Sequence, residues 1–309
     1  MVRMNRRQFL LAASAASAIA APARKLKAAV FSKHLQFVQG EDLAKVAAEI
    51  GFDGVDITVR PGGHVEPARI AQDLPPLVKI IRAHGLEVPM VTTGIEDAES
   101  PFAEAVLRTL SEQGIRHYRW GGFRYKAAGP PLDAQLDALK PRVAKLAALN
   151  AKYDTGAMFH THSGINLVGA PIWDLHILLK DFDPKAVGVN YDIGHATIEG
   201  GFGGWMASYR VLGPYLRGVS VKDFLWEKDA SGKWEANFKP LGEGMVRLPQ
   251  FFGMLADSGF NGPLQLHFEY PLGGSDLGKA KLTIPQDQVF AAMKKDLRQL
   301  RSYLSAANL

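Results

Sequence analysis

Short apolar runs alternate along the chain with longer segments whose apolar residues recur every three or four positions. The first kind reads as buried strand and the second as amphipathic helix. Strands are predicted over 27–31, 54–58, 87–91, 115–120, 156–160, 187–191, 216–221 and 263–269. Helices are predicted over 41–50, 74–83, 101–113, 133–151, 173–179, 205–212, 248–258 and 285–303, several of them stopped by a glycine such as Gly51, Gly114 or Gly259. Eight strand–helix units in 309 residues fit an α/β fold, a single closed (β/α)8 barrel, better than an open doubly wound sheet. An open nucleotide-binding sheet would carry a glycine fingerprint after its first strand. No such run follows Phe31, and Gly62-Gly63 lacks the spacing. No low-complexity linker divides residues 24–309, which read as one domain.

The first 23 residues depart from this pattern. Arg6-Arg7-Gln8-Phe9-Leu10 opens a short apolar stretch that ends at Ala21-Pro22-Ala23. This is the form of a bacterial twin-arginine signal, too short in its apolar part to span a membrane. The expectation is export of residues 24–309 to the periplasm, with no transmembrane span in the mature protein. The charge balance changes accordingly. The whole chain has 36 basic and 31 acidic residues, but the first 23 contain Arg3, Arg6 and Arg7 and no acid. The remaining 33 basic and 31 acidic residues argue against a nucleic-acid partner. The absence of cysteine excludes disulfides, thiolate metal sites and a cysteine nucleophile.

Active sites of such barrels lie at the C-terminal ends of the strands. Those ends carry Asp56, then His160-Thr161-His162, Asn190-Tyr191-Asp192 with His195 beyond it, Ser220-Val221-Lys222, and His267-Phe268-Glu269. Side chains two apart on a strand share a face. His160 with His162, Asn190 with Asp192, Ser220 with Lys222, and His267 with Glu269 are therefore expected to point inward together. A cluster of His, Asp and Glu without cysteine suits one divalent cation: Mn²⁺, Mg²⁺, Co²⁺ or Zn²⁺. Lys222 could stabilise an enolate or form an ion pair at the barrel mouth. Trp120 and Trp226 could stack on a sugar ring or anchor loops. The run 200–204 is glycine-rich and could form a tight loop beside the pocket, and Glu243 in Leu241-Gly242-Glu243-Gly244 could bind local amides.

In these residues the chain resembles the sugar phosphate isomerase/epimerase family, with its xylose-isomerase-like TIM barrel. The marks are Gly51-Phe52-Asp53-Gly54-Val55-Asp56, His160-Thr161-His162, Asp192-Ile193-Gly194-His195, Val221-Lys222-Asp223, Leu241-Gly242-Glu243-Gly244 and Glu269. The resemblance implies one divalent metal held from strands five to eight. His160, Asp192 and Glu269 stand at the fifth-, sixth- and eighth-strand ligand positions, and His195 at a substrate-contacting position. His160 replaces the customary fifth-strand Glu. Ser220 stands where the seventh-strand His is customary, so His267 or His162 would have to fill the gap.

The implied activity is a metal-assisted isomerase or epimerase acting on a small sugar or keto-sugar. Glu269 would be the base, with His160, His195 and Lys222 as its catalytic partners, and Asp56, Asn190, Trp120 and Trp226 would bind substrate. Because only one of the two customary glutamates is present, a sugar dehydratase or keto-glycoside lyase is the rival reading. A noncatalytic carbohydrate-binding barrel is a further one, and a metal-dependent nuclease fits the charge poorly. With no glycine-rich loop leading to a lysine, a neutral sugar is expected over a phosphorylated one. Oligomeric state is not legible in the chain.

Overall fold

The computed structural model describes residues 25–309, so the expected signal over 1–23 lies outside the described residues. Ten strands occur among them. In chain order these are β1 (Ala28–Phe31), β2 (Gly54–Val59), β3 (Val91–Thr93), β4 (His117–Trp120), β5 (Gly156–His160), β6 (Val187–Asp192), β7 (Leu216–Val221), β8 (Asp223–Lys228), β9 (Trp234–Lys239) and β10 (Leu264–Leu266). Eight of them close into a parallel barrel in the order β1-β10-β7-β6-β5-β4-β3-β2, and β1 pairs with both β2 and β10. The helices around it are α1 (Gly40–Ile50), α2 (Ile70–Ala83), α3 (Ala103–Glu112), α4 (Leu132–Tyr153), α5 (Trp173–Leu179), α6 (Ile193–Gly200), α7 (Gly204–Leu212), α8 (Leu248–Asp257) and α9 (Gln286–Ala306).

The strands β1, β2, β3, β5, β6 and β10 are buried on both faces, as a parallel barrel requires, and β4 and β7 are so apart from half-buried His117, Arg119 and Arg217. The outward side chains pack under the helices: Tyr191 gives its hydroxyl to the Trp205 carbonyl oxygen (2.8 Å) and stacks with Phe251. The helices present one apolar stripe each. In α1, Leu43, Ala44, Ala47 and Ile50 are buried while Glu41 and Asp42 occupy the first turn, where the helix dipole favours acids.

Three local departures from the expected elements have identifiable causes. The third strand starts at Val91 rather than 87, because Pro89 has no N–H for the ladder. Glu87 keeps only an isolated bridge to Gly54. The eighth barrel strand ends at Leu266, although His267 N–H still reaches the Val221 carbonyl (3.0 Å). The next amide, Phe268, is taken by the His34 ring nitrogen (3.2 Å) instead of a strand partner. The third is the antiparallel hairpin β8–β9, inserted between β7 and α8. Its anchor is the Asp223 carboxylate, which accepts from the amides of Phe224 (2.9 Å), Gly242, Gly244 and Val246 (each 3.0 Å). The amides of the Leu241–Gly244 motif are thus held by Asp223. Glu243, expected to bind them, instead pairs with Lys295 on the surface.

Candidate functional site

The inward faces of β5, β6, β7 and β10 converge at one end of the barrel. Register places His160 beside Asn190, Asp192 beside Ser220, and Ser220 beside Gln265. The polar residues form two tiers. In the lower one, Ser220 Oγ donates to Gln265 Oε1 (2.9 Å) and to Asn190 Oδ1 (3.3 Å), and Asn190 Nδ2 reaches Gln265 Oε1 (3.3 Å). All three are fully buried. Ser220 therefore belongs to a satisfied hydrogen-bond network, and Asn190 helps to support the tier above it.

The upper tier holds the ionisable groups. Lys222 is 2% exposed, and its Nζ lies 2.8 Å from Glu269 Oε2, 3.2 Å from Asp192 Oδ2 and 2.6 Å from His195 Nε2. Because the ammonium can only donate, His195 Nε2 accepts. Its Nδ1 then carries the proton and donates to Ser163 Oγ at 2.8 Å. The Asp192 carboxylate also caps α6, accepting from the His195 amide at 3.0 Å. Phe238, on β9, lies 4.8 Å from the Lys222 ammonium and edge-on to His195. The hairpin thereby covers one side of the site.

Gly194 makes this arrangement possible. A Cβ there would stand 2.6 Å from the Lys222 side-chain stem. Gly194→Ala is expected to cost about 1–3 kcal/mol through this overpacking. The thermal midpoint should fall, whereas Gly204→Ala, with open space around it, should leave it unchanged.

His160, Asp192 and His267 bring one donor atom each within 4.8 Å of one another. Asp192 Oδ2 lies 3.6 Å from His160 Nε2 and 3.7 Å from His267 Nδ1. His267 Nε2 donates to Gln265 Oε1 at 3.2 Å, so Nδ1 turns a bare lone pair toward Asp192 and toward Glu269 Oε1, 3.6 Å away. This nitrogen is buried without a hydrogen-bond partner, and Asp192 Oδ2 beside it is met only by the Lys222 ammonium. A lone pair facing two carboxylates is an arrangement that a cation would satisfy. The donor set of two imidazoles and one carboxylate fits a borderline divalent ion better than Mg²⁺, which prefers oxygen.

Burial and neighbouring cations set the charge states. Burial holds His160 and His195 well below the ordinary imidazole range, with Arg119 and Lys222 respectively adding to the effect. Burial pushes His267 and His162 down to about 4. These rings are neutral near pH 7, the form that binds metal. Burial raises Asp192 to about 6 against the opposing pull of Lys222. Burial would raise Glu269 too, but the Lys222 ammonium outweighs it and holds the carboxyl well below its usual range.

The remaining expected site residues are placed differently from one another. His162 stacks on His195 with ring centroids 3.8 Å apart, outside the His160–Asp192–His267 trio. Asp56 is buried on β2 and accepts from Thr92 Oγ1 at 2.7 Å; burial raises it to about 7. Trp120 is buried edge-on against Phe159 and helps line a cavity of about 290 Å³ together with His160 and His162. Trp226 stands on the hairpin, 40% exposed, and does not line that cavity. The run 200–204 joins α6 to α7.

Arg60 and Arg119 also line the cavity, and the sequence reading did not single them out. The available signal was strand alternation: Arg60 lies two beyond Thr58 on β2, and Arg119 is paired with Thr92 across β3.

The profile described as Xylose isomerase-like TIM barrel matches residues 44–301, and the chain belongs to that family. No curated protein matches the chain. Solved structures share its fold at low identity. The probable 3-DHS dehydratase AsbF of Bacillus anthracis superposes with a TM-score of 0.64 at 15% identity, covering 87% of this chain and 98% of that one. D-psicose 3-epimerase of Clostridium cellulolyticum H10 gives 0.65 at 13% identity over 90% and 99%. The 3-keto-D-glucoside 4-epimerase YcjR of E. coli gives 0.62 at 16% identity over 90% and 100%.

Proposed function

We propose that the protein is a metal-assisted isomerase or epimerase of a small sugar or keto-sugar. The observation that carries this reading is the convergence of a carboxylate base, Glu269, with the His160–Asp192–His267 trio at the mouth of the barrel. His160, Asp192 and His267 would hold the ion, and Glu269 would be a further ligand or the base. A divalent ion bound there would polarise adjacent carbonyl and hydroxyl oxygens. Glu269, 19% exposed at its side chain, can reach a carbon-bound proton beside a substrate carbonyl. Lys222 holds Glu269 ionised; if it turns toward an enolate oxygen, it would stabilise that charge and restore basicity to Glu269. His195 links Lys222 to Ser163, accepting from the ammonium at Nε2 and donating to the hydroxyl from Nδ1, a route by which the other side of the site could exchange a proton.

The likeness to sugar epimerases and to a dehydratase supports chemistry that begins with proton abstraction. NMR of the protein with a ketose panel in D₂O, with Mn²⁺, Co²⁺ or Zn²⁺ supplied, tests the reading. The expected result is deuterium entering beside the carbonyl with the carbon skeleton retained. Loss of water or alcohol would move the assignment to a lyase. Binding without exchange would move it to a noncatalytic barrel.

A further inference from the structure

The cavity contains more positive charge than its acids can match. Arg60 follows the inward face of β2, and Arg119 lies on β4 where its neighbour across the sheet is Thr92. Among the described residues neither guanidinium has a carboxylate within 4.0 Å, and neither makes a hydrogen bond. Arg60 rests over the Phe31 ring, 5.5 Å from its centroid. Outside the cavity, Arg69, Arg142 and Arg301 have carboxylate partners, whereas Arg124, which also lines the cavity, has none among the described residues. Those surface pairs contribute little to stability. Both arginines are half-buried and face one cavity whose lining residues include no acid, so the pair forms a ready site for an oxyanion.

The acids nearby do not supply it. Asp56 is bound to Thr92, and its raised carboxyl pKa of about 7 leaves it only partly ionised near neutrality. Asp192 and Glu269 are already engaged by Lys222. Lys33 adds a further cation that acts on the same cluster, and a divalent ion on the His160–Asp192–His267 trio would enlarge the surplus. Guanidinium forks match planar or tetrahedral oxyanions through paired hydrogen bonds.

We propose that the substrate of this site carries an oxyanion, a carboxylate or a phosphate, held by Arg60 and Arg119 on the wall opposite Asp192 and Glu269. This rests on the isomerase reading for the identity of the remainder of the molecule. It departs from the expectation of a neutral sugar. That expectation looked for a glycine-rich loop leading to a lysine, whereas this grip is assembled from two strands distant in sequence.

Equilibrium titration with D-fructose, D-fructuronate and D-fructose 6-phosphate tests it, because the three differ only at the sixth carbon. One of the two anions is expected to bind about tenfold or more tightly than D-fructose, consistent with charge-assisted hydrogen bonds. The stronger of the two identifies carboxylate or phosphate as the group recognised. Arg60→Gln and Arg119→Gln should each remove the preference, and added NaCl should weaken the anion while leaving D-fructose unchanged. Should Arg119→Gln fail to fold, Arg60→Gln and the salt series still decide. Equal affinity for all three, binding of none, or a preference that survives both substitutions would overturn the proposal. Selective anion binding without deuterium exchange would uphold the grip and count against the isomerase reading alone.

Discussion

Replacing Glu269 by Gln is expected to slow deuterium entry beside the substrate carbonyl by about 10²- to 10⁴-fold, the usual contribution of a positioned general base. The change is close to isosteric. The amide oxygen can still accept from Lys222, and Asp192 still pairs with that ammonium at 3.2 Å. The fold and the His160–Asp192–His267 trio should therefore persist, and the thermal midpoint should move by no more than a few degrees. What is lost is the lone pair that takes the proton. Comparing exchange rates of the two proteins, with metal content measured in both, isolates that loss. If exchange continues at the wild-type rate while metal content is equal, Glu269 is not the base. The role would then pass to His160 or His195, whose neutral rings also face the site.

Much of this site was legible because a barrel strand has a strict period of two and delivers its last residues to one end. His160, Asp192, Lys222, His267 and Glu269 all lie at strand ends in phase, and all five meet in space. Ser220, expected to leave a gap among the ligands, lies in the Asn190–Gln265 network, and the structure sets His267 beside His160 and Asp192. Other parts were hidden for physical reasons. An arginine in a strand ordinarily reads as a solvated face, which hid Arg119, although its neighbour Trp120 in the same cavity lining was singled out. The hairpin β8–β9 is half exposed and antiparallel, and its irregular apolar pattern resembles a loop more than a strand pair. Its contribution, Phe238 over Lys222, depends on a fold-back that local pattern cannot convey.

The largest stability effect is expected from Lys222→Met. The lysine is the only cation within 4 Å of either Asp192 or Glu269 among the described lysines and arginines. Removing one partner of a buried ion pair leaves the other uncompensated and costs about 3–5 kcal/mol. The cost should depend on pH in a defined direction. Asp192 already has a carboxyl pKa raised to about 6 from an ordinary 3.8, and losing Lys222 would raise it further. A raised acid favours the protonated folded state, so its destabilising effect is absent below the unfolded value and grows as pH rises toward and through the folded one. Glu269 reinforces this trend. Its carboxyl is held low in the intact protein, a stabilisation present above its unfolded value of 4.5 and dependent on Lys222. The variant should therefore lie close to wild type in thermal denaturation at pH 4 and well below it at pH 8. Lys222→Met combined with Asp192→Asn should recover part of the difference at pH 8, because the buried charge is then gone. A loss of equal size at both pH values would mean that Lys222 acts mainly by filling space between Gly194 and Phe238, and that the ion pairs contribute little to holding the site together.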